Sequence, residues 1–297
     1  MLTIGPILFH WPAEKKRDFY HRIADEAPVD KVYIGEVVCS KRAPFFESHY
    51  PEIAERLARS GKQVVFGSLA EVMISRERKM TEGLCDLSDY QIEANDASAL
   101  YHLRGRPHHV GSYINVYNED TLEFLAGKGA THFTLPPELP ARALPALCAK
   151  AKELDVTLEV QVYGRLPLAL SARCYHARAH GRVKDNCQFI CEEDPDGMKL
   201  RTLDGQDFLT VNGVQTLSHA CLALMPEMQQ MQKTGIQAFR LSPHSHDMVQ
   251  TARLYRDILD GRCEAEKAVE ILQITGLDAP LCNGFYHGAE GYQWIHS

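Results

Sequence analysis

The chain has no run of about 20 apolar residues, the length a helix needs to cross a bilayer, so no membrane-spanning helix is expected. Its first residues, Met1–Leu2–Thr3–Ile4–Gly5–Pro6, lack the basic-then-apolar layout of a signal peptide and read as a strand. A cytoplasmic protein is the resulting expectation. Basic charge is in deficit, with 32 Lys and Arg against 39 Asp and Glu and a net charge of −7. That balance argues against a general grip on nucleic-acid backbone, which needs a basic face. No GxGxxG follows the first strand candidate, so a dinucleotide site lacks its fingerprint. No HExxH is present, and no Ser/His/Asp or Cys/His arrangement stands at nucleophile spacing. Internal repeats, low-complexity tracts and obvious linkers are missing too, so residues 1–297 read as one domain.

What is there is ordinary in bulk and unusual in one residue type. Hydrophobic content of 45% and charged content of 24% suit a soluble globular protein with a large core. Nine cysteines in a reducing compartment point to metal binding, redox chemistry or burial before disulfides.

Short apolar, β-branched runs alternate with helical patterns along most of the length. Strand candidates are Leu2–Phe9, Lys31–Val37, Gln63–Ser68, Gln91–Asn95, His108–Tyr117, Thr131–Leu135, Thr157–Tyr163 and Ile236–Leu241. Helical patterns between them include Pro12–Glu26, Tyr50–Ser60, Ala97–Arg104, Thr121–Lys128 and Arg142–Leu154. Apolar strands alternating with helices imply a parallel sheet covered by helices, and the number of units matches an α/β fold of the (β/α)8 TIM-barrel type. Residues 171–217 break the rhythm after strand seven. This polar insertion holds the turn signals Asp194–Pro195–Asp196–Gly197 and Asp204–Gly205, and a hairpin Asp207–Val211/Val214–Leu217 turning at Asn212–Gly213. A loop of this length inside a compact domain is usually functional or disordered.

The insertion carries Cys174, Cys187 and Cys191 among Arg, Lys, Asp and Asn, where a core position is not expected. Cys187 and Cys191 stand four residues apart, so one helical turn or a tight loop aims both at one metal. Arg173, Arg178, Arg182 and Lys184 would favour the thiolate form. A fourth ligand is offered by Cys39, just past the second strand and therefore at the C-terminal mouth of a barrel, where the insertion also opens. The spacing admits either an iron–sulfur cluster or structural zinc, although zinc usually shows two close cysteine pairs and only one exists here. Cys148 and Cys221 lie in apolar surroundings and read as buried small hydrophobes; Cys85, Cys263 and Cys282 have no ligand-type partner nearby.

The segment Glu159–Val160–Gln161–Val162–Tyr163–Gly164 through Ser171–Ala172–Arg173–Cys174 resembles the signature of the U32 peptidase family. Glu159, Gly164 and Cys174 fit it, while Pro167 occupies the place of the signature's first cysteine and Ala172 that of a glycine. Those departures are similar to the ubiquinone-biosynthesis branch of the family, whose cluster takes its first ligand from the end of an early strand, where Cys39 stands. The Cys187/Cys191 pair, Phe208–Thr216 and Asn283–Gly288 also resemble that branch. The resemblance implies a [4Fe–4S] cluster held by Cys39, Cys174, Cys187 and Cys191, and a heterodimer with a UbiU-like U32 protein. It further implies a UbiT-like lipid-binding protein as companion, and anaerobic, O2-independent hydroxylation of the ubiquinone ring with prephenate as oxygen donor. Two alternatives stay open: a collagenase-like peptidase, after the family's name, and tRNA hydroxylation, which other U32 members perform.

No catalytic acid or base is assigned. Glu36, Asn95, Tyr163, Arg240 and His244 lie near strand ends and are read as solvated mouth residues before pocket-lining ones. His108–His109 opens a strand at the face opposite the expected site, and His244-x-His246 reads as a surface turn before a metal pair.

Overall fold

In the computed structural model, which describes residues 1–296, eight parallel strands close on themselves. They are β1 (Leu2–Ile4), β2 (Lys31–Ile34), β3 (Gln63–Gly67), β4 (Gln91–Ala94), β5 (His108–Val110), β6 (Ala130–Leu135), β7 (Thr157–Leu170) and β11 (Ala238–Leu241). Each pairs with the next, and β11 pairs with both β7 and β1, which closes the (β/α)8 barrel. Between β7 and β11 lie β8 (Met198–Arg201), β9 (Asp207–Asn212) and β10 (Gln215–Ala223); a last short strand, β12 (Leu281–Cys282), follows β11 and pairs with β10. No helix among the described residues is long and apolar enough to cross a membrane.

All eight expected barrel strands are found, several of them at different lengths. β1 stops at Ile4 because the chain leaves the barrel through Gly5–Pro6, where proline offers no N–H to a ladder. β5 ends at Val110, and Ser112–Ile114 winds into a single 3-10 turn. β7 runs far past the expected Tyr163: its C-terminal half rises above the barrel and pairs antiparallel with β10. The hairpin is found, but Asn212 pairs with Gln215, so its turn falls one residue later than expected, at Gly213–Val214, and β10 runs on to Ala223. Helices Ser75–Cys85, Met248–Leu259 and Ala265–Thr275 were not read from the sequence. Met248–Leu259 is capped by Asp247, whose carboxylate accepts from the Val249 and Gln250 N–H groups.

The lumen departs from the apolar filling usual for such barrels. Thr3, Lys31, Tyr33, Glu93, His109, His132, Thr134, Glu159 and Arg240 are all buried and bond across it. Tyr33 of β2 donates to Glu159 of β7 at 3.0 Å, and Arg240 of β11 reaches Glu93 of β4 at 3.3 Å; strands this far apart in the sheet can meet only through the interior. Burial alone would raise the Glu159 pKa, but Arg240 and His132 hold the carboxyl well below its usual range. His109 therefore sits inside the barrel, stacked on His132 with ring centroids 4.4 Å apart, and not on a remote face. The apolar strand side chains face outward, under the helices, where Leu2, Ile4, Val32, Ile34, Phe133 and Phe239 are buried.

Candidate metal centre at the barrel mouth

Four loops converge above β2. The first leaves β2 through Gly35 and Glu36, and one Glu36 carboxylate oxygen accepts from the N–H groups of Val38 (3.2 Å) and Cys39 (3.1 Å). Lys16 stands 3.8 Å from the other oxygen, so Glu36 is a paired, buried clamp on the Cys39 loop. The second segment places Cys174 at the start of the short helix Tyr175–Ala179, where its sulfur accepts from the Ala177 N–H at 3.4 Å. The third bends Cys187 back toward Cys191 through Gln188 and Phe189, both left-handed with φ of 50° and 53°. Two successive non-glycine residues there store strain of about 1–2 kcal/mol each. The fourth is the hairpin turn at Gly213–Val214.

Cys39, Cys174, Cys187 and Cys191 line one small cavity, together with Lys41, Arg42, Lys184, Phe189, Ile190 and Gly213. The other five cysteines lie outside it; Cys85, Cys148, Cys221 and Cys282 are buried, as small hydrophobes are. The four sulfurs share this cavity wall without closing on an ion-sized point: among the described residues no three His, Cys, Asp or Glu side chains are arranged to hold a single metal ion. Phe189 covers one side, packed edge-on against Phe45 at 4.6 Å and tilted on His10 at 5.7 Å. Burial pushes the pKa of Cys39, Cys174 and Cys191 up, while Arg42 pulls each down.

Arg42 was missed by sequence reasoning, which singled out Cys39 three residues before it and gave Arg42 no role. It is 2% exposed. Nη1 donates to the Leu8 carbonyl and Nη2 to Asn212 Oδ1, both at 2.9 Å. Nε has no partner. Among the described residues Arg42 makes no salt bridge with a carboxylate; Glu36, a carboxylate that acts on it, is already paired with Lys16, and the cysteines around it are neutral as thiols. Gly213 is required beneath it: φ is +65°, and a Cβ would come within 2.8 Å of Arg42 Nη2. The hairpin turn, expected one residue earlier, thus also seats the guanidinium. The charge beside the thiols comes from Arg42, with Lys184 acting on Cys39. Arg182 instead donates to the Cys187 carbonyl at 3.2 Å, and Arg173 and Arg178 are exposed.

The polar residues expected as solvated mouth positions are buried. Glu36 clamps the Cys39 loop, Arg240 belongs to the lumen, and Asn95 reaches the Ser68 carbonyl at 3.1 Å. His244 is no surface turn: at 1% exposure it accepts from the Arg165 N–H through Nε2 and meets Asp196 through Nδ1 at 3.2 Å. Asp196 also receives the Ser245 N–H at 2.8 Å, and Trp11 Nε1 donates to the Pro195 carbonyl at 2.6 Å. These contacts fasten the insertion to the barrel mouth. His246 meets Tyr163 OH at 3.1 Å and Thr251 Oγ1 at 3.0 Å through one ring nitrogen.

A family model described as Peptidase family U32 matches residues 14–296. Solved structures with a similar course of the chain include N-acetylneuraminate lyase from Fusobacterium nucleatum complexed with pyruvate, at 9% identity and a TM-score of 0.47, covering 94% of this chain and 89% of that one. A putative dihydrodipicolinate synthetase from Pseudomonas aeruginosa matches at 9% identity and 0.46, covering 91% and 79%. Phospho-2-dehydro-3-deoxyheptonate aldolase from Thermotoga maritima matches at 8% and 0.42, covering 95% and 71%.

Proposed function

From the premise that this chain belongs to peptidase family U32, we propose that it is the iron–sulfur subunit of an O2-independent hydroxylase of the ubiquinone ring, resembling the UbiV branch. The observation that carries the metal part is the cavity shared by Cys39, Cys174, Cys187 and Cys191, with a buried guanidinium that has no carboxylate partner. A cation held this way is costly unless an anion accompanies it. Four neutral thiols do not supply one, whereas thiolates bound to a metal cluster do. The donor set, the covering by Phe189 and Ile190, and the placement of Arg42 all fit such a group. The hydroxylase part rests on the family resemblance of the cysteine pattern and flanking segments.

When bound, a [4Fe–4S] cluster would supply one-electron chemistry. The chain's own residues have definable tasks around it: the four cysteines hold, Arg42 offsets negative charge, and Phe45, Phe189 and Ile190 exclude water. Glu36 and Gly213 fix the Cys39 loop and the guanidinium. A UbiU-like partner, a UbiT-like companion and prephenate as oxygen donor belong to this reading, as does a cytoplasmic setting.

The test is anaerobic purification followed by iron, sulfide and zinc analysis with visible absorption. Iron and sulfide in equal amounts support the reading, and zinc alone at one per chain overturns it. The peptidase reading has less support. Asp196, His244 and Ser245 are residue types of a hydrolytic triad, but Ser245 bonds Asp196 directly and His244 Nε2 is occupied by the Arg165 N–H. No base faces the hydroxyl.

A further inference from the structure

Cys174 lines two cavities at once. One is the thiol cavity; the other is an open cleft of about 490 Å3 whose wall also includes Arg173, Arg178, Arg182, Val183 and Lys184. Between Ala172 and Lys184 the sequence has four cations and no acid, in a chain whose net charge is −7. Lys184 is partly engaged, donating to the Ala172 carbonyl at 3.4 Å and lying 3.9 Å from Glu71, and Arg182 holds the Cys187 carbonyl. Arg173 and Arg178 are exposed, and among the described residues their side chains make no hydrogen bond or ion pair. Beside them Tyr175 and Val183 are 48% and 63% exposed.

We propose that this cleft is the docking surface for a small acidic one-electron carrier protein that reduces the metal centre through its Cys174 side. The proposal rests on the iron–sulfur reading above. A positive, concave face set against an acidic remainder orients a carrier of opposite charge and raises its encounter rate. Exposed Tyr175 and Val183 add the apolar contact that protein docking uses. A small anion is a poorer fit, because the free cations lie on open surface with no buried donor to fix one molecule in place. The step is a single electron passing from the reduced carrier to the oxidised cluster; the carrier is oxidised by one electron, the cluster reduced by one, and no covalent bond is made or broken.

The test uses the iron-loaded protein purified without oxygen and a small acidic [2Fe–2S] ferredoxin, reduced and freed of excess dithionite. Stopped-flow absorbance follows oxidation of the ferredoxin on mixing. The second-order rate is expected to fall at least about tenfold between about 50 and about 500 mM NaCl, as screening shortens the reach of the charges. Arg173→Glu with Arg178→Glu should lower the low-salt rate at least about tenfold with iron and sulfide content unchanged, and the Gln pair should fall between. Lys233→Glu, an exposed cation at the opposite end of the barrel beside the start of β11, should leave it unaltered. If the glutamate pair loses iron, the Gln pair and the salt dependence still decide. A rate at full iron content that ignores both salt and charge overturns the docking surface and leaves the cluster reading intact. A chain isolated without iron overturns both, and metal analysis shows this before any ferredoxin is added.

Discussion

Among the described residues three arginines are buried, Arg42, Arg165 and Arg240. Arg165 is held by the backbone carbonyls of Asp196, Ser218 and His219 beneath the insertion, and the surroundings of the other two differ in kind. Arg240 lies in the barrel lumen against Glu93 and Glu159, stacked 3.8 Å from the Tyr33 ring, with its charge answered twice. Arg42 lies at the barrel mouth against two neutral hydrogen-bond acceptors and a wall of thiols, with Nε unpartnered. In the lumen both carboxylates are answered by Arg240, and the second cation, Lys31, meets His132 at 3.4 Å and is drawn toward Glu159. The mouth is incomplete in the same terms, because its cation lacks an anion until the cysteines ionise. What sets Arg42 apart is that its unanswered charge faces a cavity walled by four cysteines, whereas Arg165 is closed off by three carbonyls.

The comparison can be broken most severely at the sulfurs. Single replacement of Cys39, Cys174, Cys187 or Cys191 by Ala should remove nearly all bound iron, whereas Cys148→Ala should leave it in place; iron and sulfide analysis reads both. Full iron in Cys39→Ala would remove that cysteine from the donor set.

Arg240→Met leaves Glu93 and Glu159 buried without their cation, and should destabilise the fold by about 3–5 kcal/mol in urea unfolding, with or without metal. A cost near zero would show that the lumen charges are not balanced as described.

Acid should loosen the insertion before the barrel. His244 and Ser245 lower the Asp196 pKa, against the rise that burial would cause, from 3.8 to about 2. The folded value is the depressed one, so this contribution is present above about pH 4 and is lost as pH falls toward 2. Limited proteolysis with an acid-active protease should cut within residues 171–217 at pH 2–3 and not at pH 5, and Asp196→Asn should allow cutting at both.

Gly213→Ala forces a side chain onto a left-handed residue and into Arg42, at a cost of about 1–2 kcal/mol, with weaker metal retention. The smallest effect separates the two arginines most sharply. Arg42→Met in the metal-free protein should change stability by less than about 1 kcal/mol, since it removes an unanswered charge, while lowering iron retention on purification. A loss as large as that of Arg240→Met would mean that Arg42 already has its anion.

Much of this architecture is written in short-range pattern. Alternating strand and helix runs, and the capping and turn residues between them, specify eight βα units, because pairing and coverage follow from local hydrophobic spacing. The family resemblance, carried by Glu159, Gly164, Cys174 and the cysteine spacing, is local in the same sense. Which strand residues face the lumen was not legible: Lys31, Glu93, Glu159 and Arg240 look solvated one at a time and become partners only when the sheet closes. The insertion appeared as irregular sequence, yet its tether to His244 and Trp11 depends on residues 48 and 184 positions from their partners. Cys174, Cys187 and Cys191 stood out because thiols among charges are unusual, and Cys39 because it ends a strand. Arg42 left no such mark. A charged side chain three residues past a cysteine is ordinary sequence, and its burial, its missing carboxylate and its need for Gly213 exist only once Leu8, Asn212 and the four thiols have been brought around it. Sequence alone thus determined the barrel and its candidate donors; tertiary structure decided that they share one cavity with a cation, since charge balance in a dry interior is a property of neighbours in space.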